Sequence, residues 1–468
     1  MPTAPGDAAA PDEPLAELLA ALDDPAPERR RAAARRLGGR PDPQARTALE
    51  RHLDDPDATV RSGAAEALAA VASPASVPAF LRALADPSPA VRSHAAWGLS
   101  RCATPKEEGA LATALERDPD ALVRSLAALA LGRRGTPAVA PALERALADP
   151  SDRVRREALI ALDRLVPARA EAPARHLLSD PARRVRIAAA VVLGRERARA
   201  AVPDLLDRLA RSERWERPAL LVALGKIGDP AAVPALVRAA RDPADSVRVC
   251  ALHALAEFGP AAAGPTARAA LDDPAWSVRG AAALALASCG GPDDRPALAR
   301  LLVDPHPWPR RNAVYALARL ARESALAEAI RALLADPEPD VRLAAVWAVG
   351  ELGDIAARPA LLDVVRSLAR APVAPRRTLA EGDGAVRLLS DADERLRDVA
   401  VAALGRLVRA PSDPDVVAAL DELAETLDEA TAALPARRFV PLGSDDGPET
   451  VGMLLERVRR RALGGPSG

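Results

Sequence analysis

The chain has 468 residues with 64 basic and 65 acidic side chains, so no charge bias marks nucleic acid or anionic lipid as a partner. Hydrophobic residues make up 49% and aromatics only 2%, a helix-forming composition, and 45 prolines exclude long uninterrupted helices. Three cysteines (Cys102, Cys250, Cys289) exclude a disulfide framework and suit a reducing, cytoplasmic setting, and no apolar run approaches the roughly 18 residues that span a bilayer.

Residues 1–14 are acidic and rich in Ala and Pro, and read as a flexible lead-in without the regions of a signal peptide. A repeat then dominates. Taking as position zero the Asp of ten Asp-Pro pairs, Asp24, Asp55, Asp86, Asp118, Asp149, Asp180, Asp242, Asp273, Asp304 and Asp336, gives a spacing of 31 or 32 residues with one gap of 62. Halving that gap places a start at Arg211, and a last repeat begins at Asp391, which makes twelve. Each Asp is expected to cap a helix and each Pro to occupy its first position. Apolar side chains at +5, +9, +12, +13 and +16, in the second repeat Val60, Ala64, Ala67, Leu68 and Val71, mark one helical face. Gly132, Gly194, Gly225 and Gly350 stand where helices turn or pack closely. A shorter amphipathic stretch, such as Val77–Leu84, completes each unit. Two helices of this length cannot bury their apolar faces alone, so the units must stack.

Position +6 is Arg in every repeat. A ladder of Asp and Arg along the stack is expected, with Asp55, Arg61, Asp86, Arg92, Asp118, Arg124, Asp242 and Arg248 among its rungs, because guanidinium forks suit carboxylates.

After the eleventh repeat comes an inserted loop, residues 371–383, and the repeats end near residue 410. Residues 411–434 read as an acidic capping helix, 435–449 as a linker and 450–468 as a short basic amphipathic helix and tail.

The pattern Asp-Pro-x-x-x-Val-Arg-x-x-Ala-x-x-Ala-Leu resembles HEAT repeats, specifically the short bacterial kind called PBS-lyase HEAT-like repeats. The resemblance covers residues 15–410 and implies an all-α, right-handed α-solenoid (ARM/HEAT-type superhelix) of about twelve helical hairpins. It also implies binding of a protein or peptide partner along a concave groove. Enzymes built on such repeats need signatures that this sequence lacks. No His-Glu pair serves the di-iron site of deoxyhypusine hydroxylase, and no cysteine cluster serves an epoxyqueuosine reductase. The near-neutral charge does not fit the basic surface of HEAT-like DNA glycosylases. Phycobilin-lyase-like handling of a small molecule stays open, since it depends on groove shape. No metal or cofactor motif is present, and the expected class is a non-enzymatic scaffold without a cofactor.

If +5, +9, +12 and +16 face the core, +4 and +11 face away. Position +11 reads Trp97, Leu129, Ile160, Val191, Val222, His253, Leu284, Tyr315 and Trp347, and position +4 adds Trp215 and Trp308. The candidate binding stripe is therefore Trp97, Leu129, Ile160, Trp215, His253, Trp308, Tyr315 and Trp347, with Arg153, Arg156, Arg184 and Arg311 as a polar rim for an acidic peptide. A planar molecule stacking on Trp215, Trp308, Tyr315 or Trp347 is the alternative ligand.

Overall fold

The computed structural model describes residues 14–320, 326–370, 391–407, 414–425 and 458. The lead-in up to residue 13, the loop 371–383, the linker 435–449 and all but one residue of 450–468 lie outside them, as does the side chain of Arg397. The fold is an all-α solenoid with no strand among the described residues. Contacts divide the chain into two compact halves, Met1–Asp229 and Pro230–Gly468.

Each repeat opens with a leading helix, numbered here by repeat. The first half holds α1 (Pro27–Leu37), α2 (Ala58–Val71), α3 (Pro89–Cys102), α4 (Ala121–Arg134), α5 (Asp152–Leu165), α6 (Arg183–Arg195) and α7 (Arg217–Ile227). The second holds α8 (Asp245–Ala256), α9 (Trp276–Cys289), α10 (Pro307–Leu320), α11 (Pro339–Leu352) and α12 (Asp391–Leu407). Within each half, each leading helix packs on the next, and shorter helices such as Val77–Ala83 and Ala140–Ala146 return the chain between them. The acidic Pro414–Glu425 helix follows α12 and packs on Arg358–Arg370.

The core is aliphatic, because the +5 valines and the +9 and +10 side chains are sealed between helices. Val60, Ala64, Ala65, Val91, Ala95 and Ala96 are all fully buried. Small side chains let the helices approach closely. A Cβ on Gly132 would stand 2.8 Å from Ala161 Cα, and one on Gly194 2.7 Å from Ala223 Cα. Both glycines lie inside helices, so they serve close packing and do not end helices.

The repeat start differs from expectation. The zero-position Asp is not the helix cap, and the Pro after it is not the first helical residue. In ten repeats the helix begins at +3, as at Ala58 and Pro89, and the Asp carboxylate instead accepts from the N–H of +2 at 2.7–2.9 Å. In α2 and α4 the cap is the +2 residue itself, Asp57 or Asp120. The physical reason lies with the +6 arginine. Arg61 Nη1 donates to the carbonyls of Asp55 and Pro56 at 2.9 and 3.2 Å, so the Asp-Pro turn must stay outside the helix to present both. Proline's fixed φ holds that turn.

The same guanidinium reaches forward to the next repeat. Arg61 Nε and Nη2 fork onto Asp86 at 2.7 and 3.0 Å, Arg92 onto Asp118 at 2.7 and 2.9 Å, and Arg124 onto Asp149 at 2.8 and 2.9 Å. Arg30 forks in this way onto Asp55. In the second half Arg248 donates to the Asp242 carbonyl at 2.9 Å and forks onto Asp273. Each rung thus ties its own turn to its neighbour's.

The seventh repeat breaks the pattern at its start, where Arg211 replaces Asp. Its +5 position, a buried valine in eight of the other repeats, is Glu216, which is only 1% exposed. Arg186 forks onto that carboxylate, and Arg208 adds a second fork at 2.9 and 2.6 Å. A core position has taken over the missing rung.

Candidate functional site

The +11 row does not have one environment. In the first half Trp97, Leu129 and Ile160 are half-buried, whereas Val191 is 52% and Val222 40% exposed. Trp215, two residues before α7, is 66% exposed, with Arg214 5.2 Å from its ring centroid. Val191 and Val222 face one apolar cleft of about 220 Å³ between α6 and α7, lined also by Gly194, Pro218, Ala219, Ala223 and Lys226. The close approach at Gly194 fixes the width of this cleft, because neither helix can shift inward.

In the second half His253 is exposed and Leu284 half-buried, but Tyr315 and Trp347 are each only 8% exposed. They meet edge to face at 5.6 Å, one from α10 and one from α11. Burial pushes the Tyr315 phenol upward. These two aromatics are packing residues, contrary to the expectation of an open stripe, because neighbouring helices cover +11 there. Trp308 is half-buried, and its indole lies over α9 where a Cβ on Gly280 would stand 2.7 Å from the ring. Glycine at 280 makes room for that indole.

Trp276, outside the expected stripe, belongs to an aromatic cluster. This residue is 45% exposed and stacks on His306 at 3.7 Å with an interplanar angle of 8°, and it meets Trp308 edge-on at 5.8 Å. Arg311 sits 5.8 Å from the Trp308 ring and 5.9 Å from Tyr315. A signal for the stack was present in the sequence, since Trp276 at +3 and His306 at +2 recur at nearly one register.

Three of the four rim arginines already have acidic neighbours within the chain. Arg156 pairs with Glu157 at 2.8 Å, Arg184 with Asp152 at 3.0 Å and Arg311 with Asp340 at 3.6 Å. Cys102 and Cys289 are buried and Cys250 half-buried, and burial pushes all three thiols up. No cluster of His, Cys, Asp or Glu among the described residues could hold a metal ion, and no described helix is long and apolar enough to cross a membrane.

Among solved structures, importin-β in an ammonium sulfate condition is similar over 96% of this chain and 69% of its own, at 15% identity and a TM-score of 0.61. Kap95 in complex with Nup1 is similar over 88% of this chain and 62% of its own, at 14% identity and a TM-score of 0.53. This chain therefore matches only part of each. The CpcE–CpcF complex of phycocyanin lyase from Nostoc covers 55% of this chain and 94% of its own at 21% identity, but its TM-score of 0.34 carries no argument. No curated protein matches the sequence. The HEAT-repeat family profile matches in seven overlapping stretches, residues 15–87, 77–163, 141–222, 171–249, 210–287, 238–318 and 297–381, and the chain belongs to the HEAT-repeat family.

Proposed function

We propose that the chain is a non-catalytic scaffold that holds a protein or peptide partner on the +4 and +11 face of its leading helices. The observation that carries this reading is the apolar cleft between α6 and α7, flanked by exposed Val191 and Val222, with exposed Trp215 just before α7. Exposed apolar side chains gathered on an otherwise charged surface are the usual mark of a protein contact. The fold adds support by analogy, since Kap95 of the same architecture is known in complex with Nup1.

A planar ligand fits less well. Trp276 is stacked on His306, Trp308 lies on α9, and Tyr315 and Trp347 pack together, so these aromatics already use one another and the helix surface. The test is affinity capture with wild type and with Val191→Asp/Val222→Asp. Both valines are exposed, so melting is expected to stay within a few degrees. A protein retained by wild type and lost from the variant supports the reading, and an identical capture profile overturns the assignment of this face.

A further inference from the structure

One helical turn beyond Trp97, Leu129, Ile160, Val191 and Val222 stand five cations, Arg101, Arg133, Arg164, Arg195 and Lys226. Residues four apart share a helix face, so α3 to α7 each present an apolar side chain and a positive charge side by side. The pattern stops at both ends, where the matching positions are Ala70 and Glu257. The structure brings the two rows together. The Arg101 guanidinium lies 5.5 Å from the Trp97 ring centroid, and Lys226 lines the same cleft as Val191 and Val222.

The basic row forms a cleft of its own. Arg101, Arg133, Arg134 and Arg164 line a space of about 420 Å³ with Ser100 at the carboxyl ends of α3, α4 and α5. Arg101 is anchored, donating to the Ala69 and Ala70 carbonyls at 2.8 and 2.7 Å, and Arg134 donates to the carbonyls of Ser100 and Arg101. Arg133 and Arg164 are exposed, and no carboxylate among the described residues pairs with either. Arg195 differs, since it lies against the buried carboxylate of Asp163. Helix carboxyl ends favour cations and offset part of this charge. The excess at Arg133 and Arg164 nonetheless sets these two apart from ladder arginines such as Arg61, Arg92 and Arg124 and from Arg156, Arg184 and Arg311 of the rim, which have acids of their own.

Resting on the scaffold reading, we infer that this face recognises an extended acidic peptide whose carboxylates meet the basic row while apolar side chains meet the +11 row. Charge complementarity selects the acid, and the apolar row selects a peptide over a nucleic acid, since a sugar–phosphate backbone satisfies the cations alone. Spacing fits as well. Packed helices lie about 8–10 Å apart, and a polyproline II strand brings every third residue to the same side after about 9 Å. A carboxylate at every third residue therefore meets successive helices.

The test uses the full chain and a fluorescein-labelled peptide of five Leu-Glu-Pro repeats, followed by fluorescence anisotropy. Binding that weakens at least tenfold in Arg133→Glu/Arg164→Glu, and also when Leu is replaced by Ser in the peptide, supports the inference. Both arginines are exposed, so the variant is expected to melt as wild type. If it does not, Arg133→Gln/Arg164→Gln is measured in its place against the same criterion. Equal binding by the variant, or equally tight binding of single-stranded DNA or polyphosphate, overturns it. Competition separates the two claims. A captured partner that depends on Val191 and Val222 but ignores both the arginine variant and excess peptide sinks the acidic-peptide inference and leaves the scaffold reading standing. Capture indifferent to both the valine and the arginine variants sinks the scaffold reading as well.

Discussion

Arg61 and Asp86 meet with side chains 14% and 9% exposed, whereas Arg175 and Asp204 form the same kind of pair at 2.7 Å with both side chains 41% exposed. Water screens the second pair and hardly reaches the first. Asp86→Asn keeps Oδ1 as an acceptor for the Ser88 N–H, but it removes the charge facing Arg61 and turns the acceptor of Arg61 Nε into a donor. It is expected to cost about 2–3 kcal/mol, because it leaves a half-buried cation without its carboxylate. Asp204→Asn is expected to cost under about 1 kcal/mol. Urea unfolding of both variants checks this, and equal losses would contradict it. The tryptophans divide in the same way. Trp347→Ala empties a packed site and should cost about 3–5 kcal/mol, while Trp215→Ala, at a largely exposed position, should change stability by under about 0.5 kcal/mol.

Between elements, what matters is how closely two leading helices approach. Gly194 lies against the backbone of Ala223, so an added methyl meets main chain, and no rotamer change relieves it. Gly194→Ala is expected to cost about 1–3 kcal/mol. Gly109 lies in the helix Glu108–Arg117, where a methyl added to it would meet nothing within 4 Å, and Gly109→Ala should stabilise by about 0.5–1 kcal/mol. Stacked repeats interact mainly with their neighbours, so the Gly194 loss should be local. Hydrogen exchange should quicken in α6 and α7 and stay unchanged in α2 and α3. A uniform change along the first half would contradict nearest-neighbour behaviour.

Over the whole molecule the ladder sets the response to acid. Burial alone would raise the carboxyls of Asp55, Asp86, Asp149, Asp180, Asp304 and Asp336, but the arginine fork and the +2 N–H outweigh it and hold each below the usual range. Glu216 is lowered against the same burial by its two arginines. Groups lowered in the fold contribute stability that is complete above the unfolded value, about 4, and is lost as pH falls through the folded value. Partial desolvation also lowers His94 and His253, which adds a shallower decline from about pH 6.5 downward. The urea midpoint should therefore sag slightly from pH 7 to 5 and collapse below about 4. A main loss above pH 5 would show that the ladder is not the acid-sensitive element.

The sequence by itself determined the period, the helical faces, the buried valines at +5 and the presence of an arginine at +6 in every repeat. These are local patterns restated every 31 or 32 residues, and helix geometry alone turns them into faces. Only the tertiary structure decided that arginines such as Arg61 serve both their own turn and the carboxylate about 25 residues on. It also decided that Glu216 stands in for a missing Asp from a core position, and that Gly132 and Gly194 exist for helix contact. The candidate site was half legible: the period named the +11 row, yet nothing in it distinguished exposed Val191 from buried Trp347. Nor could it tell the paired rim arginines from the cations of the basic row. The reason is that a helix's own sequence says which way a side chain points, while exposure and charge pairing depend on the neighbouring helix a full repeat away.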